Sequence, residues 1–203
     1  MLAVSPFIPP CLPRLRSRPP AGKDWLHEVK FDGCRVQLHK MASETTVYSR
    51  HGTELTCCRT AIDAALKLIP TKSVVLDGQL VVASDGSTMQ GLDAPTALAD
   101  HFVVYCFDLL ALNGKDLRPL PLLARKEKLA ELLGYTNCDV LCYSDLFTDA
   151  KRLLAAFAQD GIKGIISKHV DSRYRSGRGD WIEVSCRAYT GLHAGDRRPF
   201  RSG

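Results

Sequence analysis

The sequence lacks any apolar run near the ~20 residues that a membrane-spanning helix needs. Its start also lacks the continuous apolar core of a secretory signal. Instead, Met1 to Pro20 holds six of the eleven prolines and three arginines. Paired cysteines are missing as well. Eight cysteines are present, without a Cys-x-x-Cys pair or a Cys/His cluster, so no zinc site is indicated. Cys57 and Cys58 are adjacent, Cys138 and Cys142 are four apart, and the others are scattered, which is not a disulfide framework. Most fall in apolar strand-like segments, where a reduced thiol acts as a small hydrophobe. With no export signal, a reducing cytoplasm is expected. No internal repeat is visible. Charge imbalance is modest: 27 Lys and Arg against 22 Asp and Glu leave +5. That permits attraction to a polyanion without requiring it.

What is present is enough for one domain. The chain has 203 residues, 45% apolar and 24% charged, ordinary values for a globular protein. Strand-like segments are 26–31, 35–39, 45–49, 74–82, 102–108, 140–143, 164–168 and 181–186. Arg35 to His39 alternates polar with apolar, as a half-buried strand does. Ser84-Asp85-Gly86 and Asn113-Gly114 are turn signals. Helices are expected at 59–69, 121–133 and 149–159. The second should place Pro121 in its first turn and Gly134 just past its end. Leu153, Leu154 and Phe157 should share one side of the third. Strands in runs with interspersed helices indicate an α+β domain with mainly antiparallel sheets.

Residues 1–20 read as an extended proline-rich arm wrapped on a domain at 21–186. Residues 187–203 read as a short basic tail. Arg173, Arg175 and Arg178 crowd one loop with Gly177 and Gly179 and could follow a nucleic-acid backbone, though a basic solvated loop would look the same.

Lys30 is the residue that points to chemistry. It lies two positions before Asp32-Gly33 in a strand-like segment, so that a turn ends one strand and starts the next. Such an amine is held on a rigid element, as a covalent nucleophile should be. A free lysine is protonated at neutral pH and attacks only if burial or a neighbouring cation favours the neutral form. Four residues alone are a weak motif, and a surface lysine before a hairpin turn would look the same.

Five further segments join it. Tyr48-Ser49-Arg50-His51-Gly52, Leu76-Asp77-Gly78-Gln79, Tyr105-Cys106-Phe107-Asp108-Leu109-Leu110, Lys163-Gly164-Ile165-Ile166-Ser167-Lys168 and Trp181-Ile182-Glu183-Val184-Ser185 follow in order. With Trp25 to Arg35 they resemble the ordered motifs of ATP-dependent DNA ligases, most closely the ligase domains of bacterial end-joining systems. The resemblance runs from about Phe7 to Cys186. It implies a nucleotidyltransferase fold: two mainly antiparallel sheets, flanked by helices, with a nucleotide pocket between them. It implies Lys30 as the nucleophile that becomes lysyl-AMP. Glu28 would read the adenine amino group, Phe107 would stack on the base, and Arg35 and Arg50 would hold ribose and phosphates. The implied cofactors are ATP and Mg²⁺, and the implied partners are ATP or AMP and nicked or broken double-stranded DNA. Members of the family usually carry an OB-fold after the last motif, so a partner supplying that barrel is a further expectation.

Four matched positions depart from the family pattern. Gln79 stands for a glutamate. Lys163 stands for a metal-binding glutamate, and an ammonium cannot bind Mg²⁺. Glu183 and Ser185 stand for two lysines that hold the α-phosphate. Lys163 and Glu183 look charge-swapped: if their side chains meet across the pocket they could neutralise each other, and the alternative is a site that has decayed. The resulting expectation is an impaired, truncated adenylation domain. Alternatives are an inactive nucleotide- or DNA-binding remnant, and another lysine-dependent nucleotidyltransferase of the RNA ligase or capping type.

Overall fold

The strand-forming segments sort into two sheets. The computed structural model describes residues 7–56, 59–82, 102–136, 138–157 and 162–186, without the side chains of Phe157 and Arg178. In chain order these form β1 (Cys11–Arg16), β2 (Trp25–Lys30), β3 (Cys34–Met41), β4 (Glu44–Ser49), α1 (Arg59–Leu68), β5 (Ser73–Val82), β6 (Phe102–Leu112) and β7 (Lys115–Asp116). Then come α2 (Leu122–Gly134), β8 (Leu141–Tyr143), α3 (Ala150–Phe157), β9 (Gly164–His169) and β10 (Gly177–Ser185). One sheet runs β1-β10-β9-β2 and the other β4-β3-β5-β6-β7, with β8 beside β6. All pairs are antiparallel except β1 with β10 and β6 with β8. The fold is therefore α+β with two mainly antiparallel sheets.

The helices bury the stripes that their sequences encode. Ile62, Ala65 and Leu66 recur at helical spacing on α1 and, with Ile69 just past its end, are buried against the larger sheet. On α3, Leu153 and Leu154 pack with Ile165 and Val184 on the outer face of the smaller sheet. Asp149 caps that helix, its carboxylate accepting the Arg152 N–H at 3.0 Å. The helix α2 ends one residue later than expected: Gly134 is its last residue and Tyr135 the cap.

Three features were not expected from the sequence. The first is the Asp32-Gly33 turn. It does not close a hairpin, because β2 and β3 belong to different sheets. It carries the chain from one sheet to the other, and so leaves Lys30 at the boundary between them. Gly33 is required there: a Cβ would lie 2.1 Å from the Leu80 carbonyl oxygen.

The second is β1, whose Pro13 and two arginines mask it as a strand. It pairs parallel with β10 at the sheet edge, where a proline is tolerated. Ile8 and Cys11 enter the core between the sheets.

The third is the polar face of β3, which is buried, not solvated. Gln37 donates to the Ile8 carbonyl and accepts the Ile8 N–H, both at 2.9 Å. His39 lies 2.7 Å from the Gln37 amide oxygen on that face; on the opposite face Lys40 donates to the Ile69 carbonyl at 2.7 Å. Residues 7–16 thus cover one face of the strand and partner Gln37 and Arg35 there, through Ile8 and the Cys11 carbonyl. Burial pushes the His39 imidazole down to about 4.

Candidate active site

Between the sheets lies a cavity of about 250 Å³. Its walls alternate by strand period. On the smaller sheet, Glu28 and Lys30 point in from β2, Ile166 and Lys168 from β9, and Trp181 and Glu183 from β10; on the other side stand Arg35, Gln79 and Phe107. Arg50 lines the mouth from the turn after β4. That turn is closed by the Gly52 N–H on the Ser49 carbonyl at 3.0 Å, and Gly52 has φ +84°. Residues from positions 28 to 183 thus meet at one place. Lys30, Glu28, Arg35, Arg50, Gln79 and Phe107 are all brought together, joined by Glu183.

Glu28 is buried, and two buried lysines face it. Lys168 Nζ donates to Oε2 at 2.8 Å, and Lys126 Nζ lies 3.2 Å from Oε1. Oε1 makes no hydrogen bond within the described residues. Ser144 Oγ lies 3.3 Å from Oε2. Burial pushes the Lys126 ammonium below the ordinary lysine range, against the pull of Glu28. Lys168 also stands 4.7 Å from the Phe107 ring centre and 4.2 Å from that of Trp181. One end of the cavity therefore presents a carboxylate, an ammonium and two aromatic rings together.

Arg35 is committed elsewhere than expected. Nε and Nη2 fork onto the Asp77 carboxylate at 3.0 and 2.6 Å. Nη1 donates to the Cys11 carbonyl at 2.6 Å, and the Tyr174 hydroxyl lies 3.3 Å from Nη2. Burial would lower the guanidinium's pKa, but the Asp77 charge overrides it and the net direction is upward. Tyr174 in turn donates to Asp77 at 2.6 Å. Arg35 holds β1, β3, β5 and the β9–β10 loop together, its guanidinium 5.2 Å from the Phe107 ring centre.

The pairing at Lys30 differs from the sequence expectation. Lys30 Nζ donates to Glu183 Oε1. Lys163 instead pairs with Asp32 at 2.7 Å, and its side chain is 54% exposed. Lys163 and Glu183 therefore do not face each other. The register explains this: Glu183 pairs with Ile166 and Ile166 with Glu28, so Glu183 stands on the cavity face. Lys163 lies one residue before β9 begins, near the sheet crossing. Ser185 is opposite Gly164, which is opposite Lys30. Gly164 allows β9 and β10 to meet closely, since a Cβ would lie 2.2 Å from the Val184 carbonyl oxygen.

Arg173 and Arg175 are exposed on the β9–β10 loop, away from the cavity lining, and Arg175 lies 4.0 Å from Asp180. The Arg178 side chain is outside the described residues. Sequence reasoning missed Lys168, Trp181 and Lys126. Lys168 was legible by strand alternation from Ile166. Lys126 was not, because its partners are distant in sequence. Among the described residues, no group of three or more His, Cys, Asp or Glu could hold a metal ion. Lys163, at the place of the family's metal-binding glutamate, pairs with Asp32.

Comparison with known proteins places this arrangement. Residues 17–184 match the model of the ATP dependent DNA ligase domain. The chain is 32% identical over 172 residues to a probable DNA ligase of Beutenbergia cavernae, covering 79% of this chain and 33% of that protein. It is 31% identical over 186 residues to the multifunctional non-homologous end joining protein LigD of Pseudomonas aeruginosa, covering 89% of this chain and 22% of that one. Among solved structures, a mycobacterial DNA ligase D complexed with ATP and MES superposes with a TM-score of 0.64 at 26% identity, over 79% of this chain and 54% of that chain. The fold and site define a nucleotidyltransferase-type adenylation domain. The chain belongs to the ATP-dependent DNA ligase family. It spans a third or less of the length of the two curated relatives named here.

Proposed function

We propose that this chain is an adenylation domain, centred on residues 21–186, that receives an adenine nucleotide between its sheets and transfers AMP to Lys30 slowly. The observation carrying this reading is that Lys30, Glu28, Gln79 and Phe107 line one cavity. Glu28 can accept the adenine amino group, and Lys168 can donate to a ring nitrogen beside it. Phe107 offers an aromatic face, Gln79 an amide for a ribose hydroxyl, and Arg50 a guanidinium for a phosphate.

In the reaction, the Lys30 ammonium gives up a proton to solvent water and its nitrogen attacks the α-phosphorus of ATP. The N–P bond forms as the bond to pyrophosphate breaks, leaving lysyl-AMP. AMP then passes to a DNA 5′-phosphate, and a 3′-hydroxyl displaces it. Glu183 opposes the first step. It holds the Lys30 side chain in an ion pair and stands where the α-phosphate must approach. Repulsion of roughly 4 kcal/mol per unit charge at ~4 Å is the scale of this effect.

A second reading is favoured by the same ion pair: a binding protein that keeps adenosine recognition without transfer. Incubation with ATP labelled on the α-phosphate decides between them. Slow covalent labelling lost in Lys30→Ala supports adenylation, and no labelling at long incubation supports the binding protein. Phosphate contacts from Arg173 and Arg175 would add salt-sensitive DNA binding.

A further inference from the structure

We propose that the cavity takes adenosine, an uncharged nucleoside, in preference to ATP, and that Glu183 sets this preference. The proposal rests on the reading of the cavity as an adenosine site. Four cationic side chains line it: Lys30, Arg35, Arg50 and Lys168. Three already face carboxylates, Lys30 on Glu183, Arg35 on Asp77 and Lys168 on Glu28, the last shared with the buried Lys126. Only Arg50 has no carboxylate partner among the described residues. A triphosphate carries several negative charges and would find one uncommitted guanidinium. Its α-phosphate would also meet the Glu183 carboxylate beside Lys30.

The opposite end suits a nucleoside. Phe107, Trp181 and Ile166 give apolar area, and Glu28 with Lys168 gives an acceptor and a donor at one edge. The size agrees. At about 250 Å³ the cavity falls just below the ~300–1,000 Å³ common for drug-sized ligands, a size that suits a nucleoside. Glu183 is therefore a specificity-determining residue. A lysine at this position, as in the ligase pattern, would face the same phosphate with the opposite charge.

Titration calorimetry with adenosine and with ATP, in EDTA, tests this on the full chain, Glu183→Gln and Glu183→Lys. The ratio of the two dissociation constants is the readout, so a general loss of folded protein cancels. The unaltered chain should bind adenosine at least about tenfold more tightly than ATP. Each substitution should shift the ratio toward ATP by about tenfold or more, Glu183→Lys by the larger amount. ATP binding tighter than adenosine in the unaltered chain overturns the proposal, as does a ratio unmoved by both substitutions. In either case adenosine binding leaves the cavity reading standing. If neither ligand binds the unaltered chain, both the proposal and that reading fall.

Discussion

Replacing Arg35 by methionine should unfold the junction between the sheets, not merely weaken a nucleotide contact. The Arg35 side chain is 14% exposed and its Asp77 partner 1% exposed. The guanidinium makes two bonds to Asp77, one to the Cys11 carbonyl and one to the Tyr174 hydroxyl. Methionine keeps most of the stem length but leaves Asp77 as a buried carboxylate held only by Tyr174. Breaking a buried pair by removing one partner costs about 3–5 kcal/mol. With a urea slope of roughly 2–3 kcal/mol/M, the unfolding midpoint should fall by about 1–2 M. Urea titration followed by tryptophan fluorescence is suitable, because Trp181 lies against this network, 5.7 Å from the Tyr174 ring centre. Arg35→Met combined with Asp77→Leu should recover part of the loss, since no charge is then stranded. A midpoint within ~0.3 M of the unaltered chain would refute the structural role of Arg35.

Other outcomes follow from the same structure. His39 titrates at about 4 when folded against 6.5 for the free group; the unfolded chain binds the extra proton, so stability is full above 6.5 and lost as pH falls toward 4. The loss is about 3 kcal/mol, and His39→Gln should remove that part of the slope in urea titrations at graded pH. Gly33→Ala should cost about 1–3 kcal/mol, because its Cβ would strike the Leu80 carbonyl; an unchanged melting temperature would contradict that contact. Lys168→Met should weaken adenosine binding by about tenfold by removing one donor beside Glu28. Equal affinity in calorimetry would remove Lys168 from the site.

How far the sequence carried depended on whether the signal was local. Ile62 to Ile69 and Leu153 with Leu154 encode their buried faces by spacing alone. The strands from Trp25 to Ser49 are legible because β-forming residues alternate or run between turn residues. Cys11–Arg16 is not, since its proline and arginines suit a strand only at an edge. The cavity lining was legible through ordered motifs, which bring Lys30, Glu28, Gln79 and Phe107 together across 79 positions of chain. The ion pairs were not. Glu183 turning to Lys30, Lys163 to Asp32 and Arg35 to Asp77 depends on register between strands far apart in sequence, which no local pattern encodes. Arg125 shows the same limit: it sits in the interior of α2's packing, forked onto Asp108 at 2.7 and 2.9 Å, where a helical apolar stripe alone predicts leucines.

The most direct measurement is a crystal structure of the chain with adenosine bound. The account places the base between the two sheets, its amino group at Glu28 and its ring beside Phe107 and Ile166, with the ribose toward Gln79 and Lys30. Adenosine bound instead in the open groove on the outer face of the smaller sheet, among Arg14, Trp25 and His169, would contradict it.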